Sequence, residues 1–375
     1  MTHPLILCSK SEWAPPIRRE HAWATLAAQH GHEVTFVERP TDIRALRQSS
    51  PTCYLRRLWR AELAELVTSR LRVYSRSALV PGHRNAFGAI TNAALLRPVL
   101  EQLGSAEASI VFSWPWDWPA IRRVPARRKV FDMADDWGEL MPGRRARFGR
   151  YYDEIAAEAD EIIVVSPDLE RRFGGRRPLL VRNGVFERTL EGPFARADSG
   201  TMIYVGTLTP RFDSNLMLQV LKRLPDWRLE LVGGCQYPGL GAAPSEDLRD
   251  LLDLDGRVRW HGPMSREAVI PLLDRATVAV APNRPERSLG QDSMKFYDYA
   301  ARGRPIVSTR WFDIAGSDHP PHVLLADTPP EFAEAVLVAE RQSSVDAMDL
   351  RTWAARHTWT QRWPTWSAAV FGSSA

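Results

Sequence analysis

Cysteine is scarce in this chain: Cys8, Cys53 and Cys235 are the only three in 375 residues, an odd number set far apart. That spacing excludes a disulfide framework and the common zinc patterns, and predicts reduced thiols in a cytoplasmic protein. Long apolar runs are missing as well. No stretch approaches the roughly eighteen residues a membrane helix needs. The opening MTHPLILCSKSEW has too short an apolar part, and no basic residues ahead of it, for a signal peptide. The expectation is a soluble chain without a transmembrane segment, limited to peripheral membrane contact at most. Lysine is rare: Lys10, Lys129, Lys222 and Lys295 stand among 49 basic residues. Residues 1–182 hold 28 Lys+Arg against 21 Asp+Glu, but the arginines are scattered, and no clustered basic and aromatic motif predicts a nucleic-acid partner. Glycine-rich phosphate loops are also lacking. After the first apolar run comes KSEWAPPIRRE, without a glycine, which excludes a dinucleotide fingerprint. There is no P-loop, G-x-S-x-G elbow or H-E-x-x-H. His21, His30, His32, His261 and His357 lack metal-ligand spacing, so no metal site is predicted.

What the chain has is a repeated grammar. Short apolar runs alternate with amphipathic stretches, the pattern of parallel sheets with crossover helices. The first half predicts strands at Leu5–Ser9, Val34–Glu38, Ser109–Ser113, Lys129–Met133 and Glu161–Ser166, with helices at Arg18–His30, Ala86–Leu103 and Tyr151–Ala159. The second half predicts strands at Met202–Gly206, Arg228–Gly233, Arg257–Trp260, Thr277–Ala281 and Pro305–Thr309. Helices fit Asp213–Leu224, Ser245–Leu252, Arg266–Arg275 and Ser293–Arg302. Periodicity lapses over Arg182–Ser199. The expected organisation is an N-terminal domain over 1–185, a linker over 186–199, a second domain over 200–357, and a terminal helix over 358–375 returning to the first domain. Trp359, Trp363 and Trp366, at helical spacing, read as a packing stripe.

The most specific segment is DSMKFYDYAARGRPIVST, residues 292–309. A loop enters a helix at Ser293, Asp298 lies one turn inside it, and Gly303-Arg304-Pro305 ends it before a strand. Free amides at such a helix start suit a diphosphate, and a carboxylate a turn further in suits the two hydroxyls of a ribose. The segment resembles the donor-binding motif of the retaining GT-B glycosyltransferases (glycosyltransferase group 1, family 4-like), S-P-x-K-x-x-E-Y-x-A-x-G-x-P-V-V. Ser293, Lys295, Asp298, Tyr299, Gly303 and Pro305 stand at matching positions. Asp298 replaces the usual glutamate and Met294 the usual proline, and Gly290 stands where the family carries an acid. SEWAPPIRREHAWATLAAQHGHEVTFVERP, FDMADDW, EIIVVSPDL, LLVRNGVF and YVGTLTPRFD follow in order and resemble a subgroup related to teichuronic-acid glycosyltransferases.

The resemblance implies a GT-B fold of two Rossmann-like, doubly wound α/β domains facing across a cleft. It implies retaining transfer from a nucleotide-sugar without a metal or cofactor, the nucleotide-sugar being a substrate. The family's paired donor-domain cations fall here on Thr207 and Phe212. Arg211 and Lys295 are the expected substitutes, assisted by the amides of Thr207 and Leu208. Gly206, His261, Ser293, Met294 and Asp298 complete the expected donor site. In the first half SWPWDW places Trp114, Trp116 and Asp117 at a strand's functional end, where tryptophans suit a stacking platform for an acceptor. Asp135 and Asp136 end the next strand, and Asp136 is the expected catalytic partner of the acceptor, or else a helix cap. Lys10, Trp13 and Arg18 are further acceptor-side candidates. The aromatic loops favour a soluble small-molecule acceptor in specialised-metabolite (antibiotic) biosynthesis, with envelope polysaccharide as the alternative. A nucleotide-sugar epimerase of the same fold is the competing enzyme class, and it needs no acceptor platform.

Overall fold

The computed structural model describes residues 3–41, 51–80, 85–192, 198–237, 240–288, 290–311 and 319–372. Part of the expected linker, 193–197, lies outside them. The chain forms two compact units, one made of Met1–Arg182 with Arg362–Ala375, the other of Asn183–Gln361.

The first unit is built on an eight-stranded sheet. Its strands are β1 (Leu5–Cys8), β2 (Val34–Val37), β3 (Glu62–Thr68), β4 (Leu71–Ser75), β5 (Ser109–Phe112), β6 (Arg128–Met133), β7 (Glu161–Val164) and β8 (Leu179–Leu180). Their order is β3-β4-β2-β1-β5-β6-β7-β8, parallel throughout except for the β3–β4 hairpin. Every residue of β1 and β5 is buried, as expected of central parallel strands covered on both faces. The hairpin, and the helix Pro51–Trp59 before it, were not anticipated. ELAELVTSRLRVYS mixes charge into its apolar positions, so neither period stands out, and β3 is an exposed edge strand. The helix foreseen from Tyr151 begins earlier, at Arg145.

The second unit carries β9 (Thr201–Val205), β10 (Arg228–Val232), β11 (Val258–Trp260), β12 (Val278–Ala281), β13 (Ile306–Ser308) and β14 (Val323–Leu325), all parallel, in the order β11-β10-β9-β12-β13-β14. The parallel strands of the first unit, β4-β2-β1-β5-β6-β7, run in the same relative order. Both are doubly wound sheets whose order reverses once, at β1/β5 and at β9/β12. Ligands of such sheets bind beyond the carboxyl ends of the strands flanking that reversal.

The terminal helix Trp359–Phe371 belongs to the first unit from Arg362 onward. Trp366 stacks on Trp23 at 4.8 Å, and its indole N–H donates to Asp132 at 3.1 Å. Asp132 in turn holds Arg19 at 2.9 Å, in full burial. The tryptophan stripe is therefore core, with one polar anchor. Among the described residues no helix is long and apolar enough to cross a membrane. Cys8 and Cys235 are buried, Cys53 is half-buried, and all three are free.

Candidate functional site

In the second unit the chain leaves β9 at Gly206, with φ 155°, a left-handed conformation that favours glycine. A Cβ there would press on the Tyr204 hydroxyl at 3.1 Å and on Lys295 Cε at 3.3 Å. Gly233, leaving β10 with φ 136°, is more constrained: its Cβ would fall 2.2 Å from the Gly206 carbonyl. These two glycines let neighbouring loops close-pack at the carboxyl edge, tied by Gly206 N–H to Val232 O and Leu208 N–H to Gly234 O, both 2.8 Å. The Leu208 amide is thus committed to the loop and is not available to a phosphate, which corrects its expected role. The Thr207 amide donates no hydrogen bond among the described residues.

Beyond β12 the helix Met294–Ala301 starts at Ser293, which makes no side-chain cap, so the Met294 and Lys295 amides have no acceptor among the described residues. Lys295, in the first turn, is half-buried, its ammonium 5.1 Å from the Tyr204 ring centroid. Among the described residues no carboxylate pairs with it. Burial, and then the nearby charge of Arg211, lower its pKa to about 8. Arg211 is steered by its Nε donating to the Arg287 carbonyl at 3.0 Å. The two cations, 84 positions apart in sequence, therefore share one field, around amides that lack acceptors. Positive charge beside a helix start is the chemistry that favours an anion.

Asp298, a turn further along, is half-buried, and burial raises its carboxyl pKa, with Arg266 pulling it back. Its Oδ1 accepts a close hydrogen bond from Arg266, while its Oδ2 has no partner among the described residues. His261 ends β11 as expected, but its imidazole is taken up by Glu230 and its N–H donates to the Leu231 carbonyl at 2.9 Å. Its ring serves the loop, leaving backbone as its contribution. Asp292 went unnoticed in the sequence although it opens the quoted motif. It accepts from the Asn183 N–H at 2.5 Å and from the Tyr297 hydroxyl at 3.0 Å, and so fixes the loop ahead of Ser293. Gly184 packs where a Cβ would lie 2.7 Å from the Trp359 amide. The Asn-Gly-Val segment is thus a structural joint.

In the first unit, β1, β5 and β6 are neighbours, and their carboxyl ends gather Lys10, Ser113 and Asp135. Lys10 pairs with Asp135 at 2.7 Å and lies over the Trp137 ring at 5.5 Å. Burial opposes the Lys10 charge, but Asp135 and Glu20 outweigh it and raise its pKa. Glu20, in the first turn of the helix Arg19–Gln29, was not anticipated. It is buried, accepts from Ser113 Oγ at 3.1 Å, and leaves Oε2 without a partner among the described residues. Burial works against its ionisation, yet Lys10 and its own amide hold its pKa below the usual carboxylate range. Trp114 stacks on Trp137 with centroids 5.8 Å apart. Trp13 packs on His21 and Phe36, and its N–H donates to Glu38. Arg18 is exposed at the start of the same helix as Glu20.

Three expected acceptor residues turn inward instead. Trp116 is 1% exposed, set edge-on against Phe148 at 4.7 Å within the core, so its faces are unavailable for stacking. Asp117 is buried with Arg76 at 3.1 Å and Asn92 at 3.0 Å. Asp136 caps the short helix Trp137–Leu140 through the Gly138 and Glu139 amides and pairs with Arg172 at 2.5 Å. Its carboxylate belongs to that turn, which leaves Asp135 as the one of the pair at the strand-end cluster. The sequence signal, adjacency at a strand end, could not tell a capping residue from a free one.

Residues 199–340 match the family described as Glycosyl transferases group 1. Among solved structures, the chain is similar to sucrose-phosphate synthase from Thermosynechococcus elongatus, at 17% identity and TM-score 0.72, covering 97% of each chain. It is similar to Anabaena HepE in complex with UDP and glucose, at 13% identity and TM-score 0.67, covering all of both chains. WaaG, a glycosyltransferase involved in lipopolysaccharide biosynthesis, shares 13% identity at TM-score 0.67, over 98% of this chain and 100% of that one. No curated protein matches in sequence. The fold is that of the two-domain GT-B glycosyltransferases. The chain is a glycosyltransferase, and its residues 199–340 carry the likeness to group 1.

Proposed function

We propose that the chain is a retaining, metal-independent glycosyltransferase that delivers a sugar to the hydroxyl of a soluble small-molecule acceptor. The observation that carries this reading is the half-buried Lys295, with no carboxylate partner among the described residues, beside a helix start without a side-chain cap and near the charge of Arg211. That arrangement suits the phosphate of a departing nucleoside diphosphate. The bond from the anomeric carbon to the phosphate oxygen breaks with its electrons going to that oxygen, where Lys295 and Arg211 bear the charge. The acceptor oxygen bonds to the same carbon on the same face, and its proton leaves to the phosphate. Asp298 accepts a ribose hydroxyl through its open Oδ2. Lys10, Glu20 and Asp135, with Trp114 and Trp137 beside them, form the acceptor side, and Asp135 takes the role first given to Asp136. Because HepE is recorded with UDP, UDP is the first nucleotide to try. The test is a thermal-shift and calorimetric comparison of UDP, GDP, TDP and ADP, since a ligand bound only by the native state raises its melting temperature. No stabilisation by any of the four would sink the reading. Nucleotide-sugar turnover in the absence of any acceptor, giving an epimer, would instead point to an epimerase.

A second reading, transfer to an envelope polysaccharide precursor of the teichuronic-acid kind, has one observation in its favour. Leu55, Trp59, Leu63, Leu66, Phe87 and Ile90 are all more than half exposed, on the helix Pro51–Trp59, the edge strand β3 and the start of the helix Ala86–Gln102. Exposed apolar side chains on these elements suit a lipid surface if they share one face. Co-sedimentation with vesicles of phosphatidylglycerol and phosphatidylcholine decides between the readings: retention favours the envelope acceptor, and its absence the soluble one.

A further inference from the structure

The proposed donor site leaves one question of charge. The Asp298 side chain is only 16% exposed, and a carboxylate withdrawn from water tends to take up a proton, yet a protonated acid is a poor acceptor for two hydroxyl donors. Arg266 answers this. It is the first residue of the helix Arg266–Arg275, whose start is set by Ser265 capping the Ala268 amide. Its guanidinium lies over the Phe186 ring at 4.3 Å and reaches Thr189 Oγ1 at 3.5 Å while gripping Asp298 Oδ1. Three contacts, from two parts of the chain, thus restrict its swing, and they leave Asp298 Oδ2 open.

We infer that Arg266 is the positioning residue of the donor site, holding Asp298 as an oriented carboxylate whose second oxygen receives the ribose hydroxyls. The inference rests on the donor reading above. Other charged groups nearby are already engaged. Arg302, one turn on, is bound by Asp274 at 2.7 Å and by the carbonyls of Thr189 and Glu191. Lys295, one turn back, faces Tyr204, and Glu187 accepts from the Thr360 amide. Tyr299 stays a neutral phenol, and His261 is held by Glu230. Burial raises the Asp298 pKa, and Arg266 is the charge that counters part of that push. Without it the carboxyl is left with burial alone, and protonation moves toward neutral pH.

The test is UDP affinity by calorimetry at pH 5.5, 6.5 and 7.5 for the full chain and for Asp298→Asn, Arg266→Met, Arg266→Lys and the Asp298→Asn/Arg266→Met double variant. Asp298→Asn is expected to weaken binding at least tenfold at every pH. Arg266→Met is expected to weaken it tenfold or more at pH 5.5 and to recover as pH rises, while Arg266→Lys restores most of the loss. The double variant should bind no worse than Asp298→Asn, because Arg266 acts through that carboxylate. If Asp298→Asn weakens binding but Arg266→Met follows the unaltered protein at each pH, Arg266 only packs, and the inference is wrong. A double variant markedly weaker than Asp298→Asn would show that Arg266 acts on the nucleotide without Asp298, and also overturns the inference. Unchanged affinity for Asp298→Asn itself overturns the donor reading, and the inference with it.

Discussion

Lys295 offers the sharpest measurable consequence of the donor site. In the ligand-free protein its pKa is about 8, against an ordinary lysine value of 10.5, because burial and Arg211 both disfavour its charge. A bound diphosphate opposes the shift although the ammonium stays buried. It brings negative charge to the ammonium and neutralises the field of Arg211, so the pKa climbs back toward its ordinary value or beyond. Recovery of the whole difference corresponds to roughly 3 kcal/mol of coupling, since one pKa unit is about 1.4 kcal/mol. The sign follows from linkage. The complex holds more protons than the free protein, so affinity is greatest below about pH 8 and falls as pH rises through it, approaching tenfold per unit. At pH 8 about half the free molecules lack this proton, so binding UDP should take up about half a proton per site. Calorimetry in phosphate and in Tris, whose ionisation enthalpies differ, reads that uptake directly. Lys295→Met should abolish it and weaken binding. Equal heats in both buffers at pH 8, with affinity flat from pH 7 to 8.8, would refute the assignment of Lys295 to the diphosphate.

The other expectations are simpler to score. Trp116→Ala removes a fully buried indole and should cost about 3–5 kcal/mol of stability, with UDP affinity unchanged at a temperature where the variant is folded; a stable variant with impaired acceptor kinetics would return the ring to the site. Gly233→Ala has no room beside the Gly206 carbonyl, so nucleotide binding should weaken markedly; near-normal binding would show that these loops give way easily. Transfer should survive excess EDTA, because Lys295, Arg211 and helix amides carry the leaving-group charge. Loss with EDTA and rescue by magnesium or manganese would remove that part of the mechanism. Asp135→Asn should lower transfer while leaving UDP affinity intact; equal loss of both would place Asp135 outside the acceptor side.

The alternation of apolar runs by itself determined most of the strands and helices, because parallel strands buried on both faces must be continuously apolar. It could not reveal the β3–β4 hairpin, whose exposed edge strand carries no such demand. Ser293, Lys295 and Asp298 were legible because one helix holds them at fixed spacing, so local geometry already implies their arrangement. Which residues meet them was decided only by tertiary structure. Arg266 reaches Asp298 across 32 positions because two helices of one sheet come together, and Arg211 approaches Lys295 because the loop after β9 lies beside the helix start. In the first unit the same limit worked against expectation. A strand end announces that side chains are near a functional edge, but not which way they turn. Trp116 turned into the core, Asp117 to Arg76 and Asp136 to a helix cap, while buried Glu20 took the place beside Lys10. Side-chain direction at a loop depends on which partner satisfies each polar group and fills each void, and those partners are supplied by segments distant in sequence.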